Sequence, residues 1–249
     1  SDTTGFSTVI YTGTGANATV GHGLSSAPDW IIFKNRTDAS DWAVYHTAVG
    51  NTTITTLNSS SAPVSANSVY FQNTDPSNSV ITLGSSNVMN GSGDDIVAYC
   101  WTETTGVSKF GSYSGNGSTT GPTVTCGFKP AWIMIKRTDA GNNWVIQDNT
   151  RVTINPNNQT LLADRTDAET DFSIDIDFNS NGFQIKSAGN PENNASGTYM
   201  YMAFADTRGA AFWLDQSSNN NDWQPENLDY MDSLSDSPTN NYATMNPLA

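Results

Sequence analysis

Hydrophobic residues in this chain occur in short runs that are rich in aromatic and β-branched side chains and are bounded by Gly, Asn, Asp or Pro. Runs of this length and composition predict β-strands rather than helices. The most regular run, Phe172 to Phe178, alternates so strictly that its apolar side chains share one face while Ser173, Asp175 and Asp177 face solvent. The predicted strands include Trp30 to Lys34, Trp42 to Tyr45, Val80 to Leu83, Ile96 to Trp101 and Phe172 to Phe178.

The same pattern occurs twice along the chain. The segment from Tyr11 to Gly15 returns as Tyr113 to Gly117, and the segment from Pro28 to Lys34 returns as Pro130 to Lys136, each 102 positions later. Further matches pair Trp42 with Trp144, and Asn90 to Gly93 with Asn194 to Gly197. Self-similarity over a fixed period predicts two copies of one structural unit.

We therefore predict an all-β protein with two tandem homologous antiparallel β-sandwich modules, which are jelly-roll-like, plus an irregular C-terminal arm. The modules span residues 1–106 and 107–208, and the arm, rich in Asn and Asp, spans residues 209–249. Pro28 and Pro130 stand just before the most apolar strand of each module, a position where proline costs no ladder hydrogen bond.

Composition narrows the classes of partner. The formal net charge of −14 would repel a phosphate backbone, so nucleic acid is excluded as a partner. No apolar stretch approaches 18 residues and the N-terminus lacks the pattern of a signal peptide, so we expect no membrane insertion.

The sequence offers few groups for catalysis. His22 and His46 are the two histidines of the chain, and no nucleophile-elbow sequence accompanies them. The four glutamates, with many aspartates, give no evident carboxylate pair for glycoside hydrolysis, so we expect no enzymatic activity. Cys100 and Cys126 are expected to be buried free thiols, although a bridge between them remains open.

An acidic cluster suggests a metal site. Asp164, Asp167, Glu169 and Asp171 lie close together before the alternating strand, and oxygen ligands at such spacing suit Ca²⁺. A calcium-loop motif is not evident, so a solvated acidic loop is the simpler interpretation. Calcium is the one cofactor that the sequence suggests.

Tryptophans give a second candidate site. The repeated pairs Trp30 with Trp132 and Trp42 with Trp144 are predicted to be core residues, because a duplicated framework needs equivalent side chains at equivalent positions. Trp213 and Trp223 have no repeat partner, so they are the better candidates for stacking on a sugar ring or for an interface.

Each module carries the signature Pro, Trp, three apolar residues and Lys, at positions 28–34 and 130–136, followed by Arg-Thr-Asp-Ala at 36–39 and 137–140. Together with Tyr99 to Trp101 and the tail segments 219–225 and 236–248, this signature resembles a family of tail-fibre-like and other structural proteins of marine and cyanobacterial bacteriophages. It implies a component of the virion that contacts the host surface, and it implies no catalytic residue.

The expected function is therefore a bacteriophage virion structural protein, either a tail fibre or appendage or a surface adhesion component. A non-enzymatic carbohydrate-binding module and a capsid decoration protein are the alternatives. Expected partners are other virion proteins, a host surface glycan and copies of the chain itself, with a trimer favoured because fibres are usually cyclic oligomers.

Overall fold

The computed structural model describes residues 5–66, 68–188 and 192–206. Within that part the chain forms sixteen strands and two four-residue helices. The first module contributes β1 (Phe6–Thr12), β2 (Ala18–Gly21), β3 (Trp30–Asn35), β4 (Ala43–His46), β5 (Thr53–Thr56), β6 (Val64–Ser65), α1 (Ser68–Phe71), β7 (Val80–Leu83), α2 (Asn87–Asn90) and β8 (Asp95–Trp101). The second contributes β9 (Ser108–Ser114), β10 (Thr123–Thr125), β11 (Pro130–Arg137), β12 (Val145–Asp148), β13 (Asn157–Leu162), β14 (Thr170–Asn179), β15 (Gly182–Ile185) and β16 (Thr198–Ala205).

The first module is built on a six-stranded antiparallel sheet, here sheet I, with the strand order β1-β8-β3-β4-β5-β6. One face of sheet I is covered by the β2–β7 pair together with the two short helices. Alternate residues of β3 and β8 point into this core, including Ile31, Phe33 and Cys100, while Phe71 and Ile81 cover them. The first module is thus a two-layered sandwich whose second layer is partly helical.

The second module consists of one eight-stranded antiparallel sheet, here sheet II, in the order β10-β15-β14-β13-β12-β11-β16-β9. The sheet curls over itself, because residues from both of its ends meet in one core. Phe183 of β15, for example, packs edge-on against Tyr201 of β16, with ring centroids 5.4 Å apart. The predicted all-β sandwich architecture is confirmed.

A third apolar layer joins the two modules. It is formed by the faces of sheets I and II that point away from their own cores, and it buries Trp30, Val44, Phe110, Met134, Trp144, Met200 and Met202. At its centre the rings of Trp30 and Trp144 meet edge to face at 5.8 Å. Polar contacts reinforce it: Trp144 Nε1 donates to the Thr56 carbonyl oxygen at 2.8 Å, and His46 Nε2 lies 3.2 Å from the Tyr201 carbonyl oxygen. Both modules therefore belong to one compact unit, which ends at Ala205.

The repeat is visible in the polar interior. In the first module Asn90 Oδ1 accepts from the Thr14 amide, and Asn90 Nδ2 donates to the Ala16 and Gly84 carbonyl oxygens. In the second, the side chain of Asn193 makes the matching bonds to Asn116, Ser118 and Ser187. The structural equivalent of Asn90 is thus Asn193, one residue before the Asn194 chosen from sequence.

A glycine makes the same close backbone contact in both modules. A Cβ atom on Gly13 would collide with the Gly91 carbonyl oxygen, and one on Gly115 would collide with the Asn194 carbonyl oxygen. Each glycine lets the loop after the first strand of its module touch the backbone of the loop before the last strand. This contact independently pairs Asn194 with Gly91 rather than with Asn90.

The core prediction for the repeated tryptophans is only partly correct. Trp30 and Trp144 are fully buried, but between the modules rather than inside them, and Trp132 and Trp42 are half-buried. In each copy a lysine ammonium lies over the second tryptophan, Lys34 over Trp42 at 5.8 Å and Lys136 over Trp144 at 5.7 Å from the ring centroid. The repeat therefore preserves a local cation–π pair while burial differs between the copies.

Cys100 and Cys126 are buried free thiols, as predicted. They lie in the separate cores of the two modules, and burial raises the pKa of each to about 12. The predicted C-terminal arm falls outside the described residues. In the part of the chain that the structure describes, no helix is long and apolar enough to cross a membrane.

Candidate functional site

The four acidic residues of the predicted calcium loop each have a separate protein partner. Asp164 accepts from the Trp144 amide at 2.8 Å, and Asp171 accepts from the Ser173 amide at 2.6 Å. Asp167 is paired with Arg165 at 2.5 Å, and Glu169 is paired with Arg151. Within residues 5–66, 68–188 and 192–206, no group of three or more His, Cys, Asp or Glu side chains could hold a metal ion. The calcium prediction therefore gains no geometric support.

The second pair of predicted site residues, Trp213 and Trp223, lies outside the described residues. Their proposed role in sugar stacking or in an interface stays a prediction.

Both histidines are fully buried and serve the backbone. His22 Nε2 lies 3.0 Å from the Ser77 carbonyl oxygen, and its Nδ1 accepts from the Leu24 amide at 3.2 Å. His46 Nδ1 accepts from the Ala48 amide at 2.9 Å, and burial lowers the pKa of His46 to about 4. Neither ring is placed to act as a general base on a bound substrate.

A groove of about 510 Å³ opens between the Ala48–Val49 turn of the first module and strands β9 and β16 of the second. Hydroxyl side chains line it, and two of them, Thr138 and Thr198, bond to each other at 2.7 Å. Its lining contains no carboxylate, histidine or cysteine, and its ionisable side chains are the phenols of Tyr113 and Tyr199.

The most distinctive exposed surface lies on strands β1 and β8 of sheet I. Phe6, Thr8 and Ile10 of β1 stand directly beside Trp101, Tyr99 and Val97 of β8. These side chains lie on the face that sheet II covers only in part, so the layer between the modules continues outwards as a partly exposed aromatic surface. We call it the β1–β8 face, defined by Phe6, Thr8, Ile10, Tyr99 and Trp101.

The side chains of the β1–β8 face pack on one another. The Phe6 and Trp101 rings lie 4.9 Å apart, and the Tyr99 and Trp101 rings 6.4 Å apart. Ile10 remains 66% exposed and Phe6 36% exposed, which is unusual for large apolar side chains on a strand whose other face is core. Trp101 also contacts the layer between the modules, which anchors the exposed surface to the rigid interior.

Strands β1 and β8 place few charged side chains on this face. In a chain with a formal net charge of −14, the strand positions of β1 and β8 that point to this side carry one carboxylate, Asp95, at the far end beside Thr12. β1 is also an edge strand of sheet I, so one side of its backbone is not paired within the sheet. An uncharged, partly aromatic face next to an open strand edge is typical of a contact surface between proteins.

A second feature lies inside the second module. Glu192 is 1% exposed, and its Oε2 atom has no hydrogen-bond partner among the described residues. It lines a cavity of about 130 Å³ together with Asn142, Asn143, Leu162, Phe172 and Ile174.

Sequence reasoning identified neither feature, although a signal existed for both. Large apolar or aromatic side chains stand on both faces of this segment, Phe6 and Ile10 on one and Val9 and Tyr11 on the other, which predicts a strand covered on both faces. For Glu192, shifting the repeat alignment by one residue would have placed it opposite Met89 and revealed a charged residue at an apolar core position.

By its fold, the chain is a tandem β-sandwich protein whose two repeats pack face to face. Residues 1–208 match one family model, and the chain belongs to that family, described as "Domain of unknown function (DUF7483)". The match covers both modules and therefore treats them as one unit. Neither a curated protein nor a solved structure matches the chain.

Proposed function

We propose that this protein is a non-catalytic structural subunit of a bacteriophage particle, a tail fibre, appendage or surface adhesion component, which self-associates through the β1–β8 face. The observation that carries the assembly role is the uncharged, partly exposed aromatic surface at the open edge of sheet I. The viral part of the proposal rests on the resemblance of the tandem module signature.

A second copy of the chain is the occupant that the charge distribution favours. Two chains of formal net charge −14 repel each other over most of their surface, so close approach is least costly where carboxylates are absent. The β1–β8 face meets that condition over all of its five defining residues. Its edge strand could also pair with the edge of another sheet, which would add directional backbone hydrogen bonds to apolar contact.

Rigidity suits the proposed role. Interface side chains lose less conformational freedom on association when the scaffold already holds them. Trp101 is held by the layer between the modules, and Phe6 and Tyr99 pack on Trp101. The face is therefore largely preformed in the single chain.

Sedimentation of the purified protein over a range of concentrations tests the proposal. We expect a homo-oligomer, with a trimer of the 26.7 kDa chain favoured. We expect Ile10→Lys to shift the population to monomer, because it places a charge at the more exposed of the two large apolar side chains that β1 contributes to the face. The matched control is Ile154→Lys, which changes a similarly exposed isoleucine of the second module, 73% against 66% for Ile10, and should leave the oligomer intact.

A strictly monomeric wild-type protein at the highest attainable concentration would overturn self-association through this face. Glycan binding by such a monomer, lost in Ile10→Lys, would instead assign the face to carbohydrate. Mass spectrometry of purified particles tests the viral part separately, and absence of the chain from them would refute it.

A further inference from the structure

The two repeats place different residues at one equivalent buried position. Tyr11 Oη donates to the Met89 carbonyl oxygen at 2.6 Å, and Tyr113 Oη donates to the Glu192 carbonyl oxygen at 3.0 Å. Met89 and Glu192 each directly precede the buried asparagine whose side chain hydrogen-bonds to the loops of its module. Met89 and Glu192 are therefore structural equivalents, and the framework itself does not require a carboxylate at this position.

The Glu192 carboxyl group is incompletely satisfied. Its Oε1 accepts from Asn142 Nδ2 at 2.6 Å, while Oε2 is buried and has no partner among the residues that the structure describes. A buried polar atom that lacks a hydrogen bond is costly, and a buried charge is more so. The first module folds with a methionine at this position, so folding does not account for the cost of burying the Glu192 carboxyl group. We take this cost as a sign that the group binds a ligand.

The cavity that Glu192 lines has the size and lining for a small organic cation. Its volume of about 130 Å³ exceeds the ~10–15 Å³ that one water needs but falls below the ~300–1,000 Å³ of a drug-sized pocket. Leu162, Phe172 and Ile174 form an apolar wall, and the half-exposed Asn143 and Phe172 connect the cavity to the surface. A carboxylate facing an apolar wall matches an ammonium group on a short hydrocarbon chain.

We propose that this cavity binds an aliphatic ammonium group, either a free alkyl amine or the end of a lysine side chain. The ammonium donates to the Glu192 carboxylate, and the methylene groups pack against Leu162, Phe172 and Ile174. Asn142 holds the carboxyl group in place by donating to Oε1. This binding site is separate from the β1–β8 face, so either proposal can fail without the other.

The ionisation of Glu192 makes binding depend on pH. Burial raises the pKa of Glu192 to about 7, while Asn142 and the more distant Arg137 act in the opposite direction. The Tyr113 and Tyr199 hydroxyls also interact with Glu192, and Arg137 is itself bound to Asp139. The residues that β13 and β14 contribute to the cavity lining, Leu162, Phe172 and Ile174, are uncharged. Since the ammonium needs the ionised carboxylate, affinity should rise with pH through this range.

Titration of the full chain with n-butylammonium, followed by NMR chemical shifts, tests the proposal. We expect saturable binding at pH 8 that is about thirtyfold weaker at pH 5.5, because the ionised fraction falls by that factor around a pKa of about 7. Blocked lysine (Nα-acetyl-lysine amide) is the second probe, which distinguishes a lysine side chain from a free amine. The neutral isostere 1-butanol should bind far more weakly.

Two substitutions separate binding from folding. Glu192→Gln keeps the shape and loses the charge, and Glu192→Met installs the residue that the first module carries, so both should lose butylammonium binding while Glu192→Met folds at least as stably as the wild type. The control Glu103→Gln removes an exposed glutamate that is paired with Lys109 at 2.7 Å and should bind normally. Absence of binding at pH 8, unchanged binding in Glu192→Gln, or equal binding of 1-butanol would each overturn the proposal.

Discussion

Two buried ionisable side chains, His46 and Glu192, oppose each other in their effect on stability. Burial is the main cause of both pKa shifts: it lowers the pKa of His46 to about 4 and raises that of Glu192 to about 7. In each case the folded protein favours the neutral form. His46 joins the modules through the Tyr201 carbonyl oxygen, whereas Glu192 lies in the core of the second module.

Linkage gives the sign of each effect. The depressed pKa of His46 means that the unfolded chain binds the extra proton, so its contribution to stability is lost as pH falls from about 6.5 to about 4. The raised pKa of Glu192 means that the folded chain holds the extra proton, so stability is lost as pH rises from about 4.5 to about 7. Over the shared range the two effects offset each other.

Substituting either His46 or Glu192 should reveal the pH dependence of stability that the remaining residue causes. We expect Glu192→Gln to lose about 3 kcal/mol of unfolding free energy between pH 7 and pH 4.5 relative to the wild type, because the opposing carboxyl no longer titrates. His46→Gln should show the reverse trend. Urea denaturation at a series of pH values checks this, and parallel stability profiles for wild type and Glu192→Gln would contradict it.

At the scale of strands, equivalent elements of the two modules are covered differently. β4 and β12 both follow a repeated tryptophan, yet Trp144 is fully buried between the modules and Trp42 is half-buried. Trp144 also donates to the Thr56 carbonyl oxygen of the other module. The same local sequence therefore has a larger energetic role in the second copy.

Matched substitutions measure that difference. Trp144→Ala should lower the free energy of unfolding by about 3–5 kcal/mol, since it leaves a cavity in the layer between the modules and removes a hydrogen bond. Trp42→Ala at the equivalent position should cost about 1–2 kcal/mol, because less surface is buried there. Equilibrium urea unfolding compares the two, and equal costs would show that the layer between the modules contributes little.

The strand pattern was predictable from local sequence, and the pairing of the modules was not. The alternation from Phe172 to Phe178 gives the observed inward face of β14, and the run from Val80 to Leu83 is β7. The two short helices were missed because four residues are too few to show helical periodicity. That Trp30 and Trp144 meet depends on how two complete sheets pack, which local patterns do not encode.

The candidate surfaces were harder to predict for the same reason. Exposure of Phe6 and Ile10 follows from sheet II covering only part of sheet I, which is a property of the assembled unit. Glu192 was overlooked because the repeat alignment slipped by one residue in a loop with an insertion. Aligning the two repeats on their buried asparagines, Asn90 and Asn193, places Glu192 opposite Met89.

At the scale of the whole molecule, the two repeats form one folded body. Each module has its own core, but the faces that would otherwise be exposed cover each other and bury both Trp30 and Trp144. Neither module alone could cover these side chains. The proposed assembly role depends on this arrangement, because the β1–β8 face is the part of sheet I that the partner module leaves open.

Hydrogen exchange of the backbone amides, measured across a urea series, tests this central claim most directly. We expect the core amides of β3 and β8 and those of β11 and β16 to exchange with the same opening free energy and the same urea dependence, because both modules open in one cooperative event. Strands β11 and β16 that stayed protected at urea concentrations where β3 and β8 had already exchanged would contradict it.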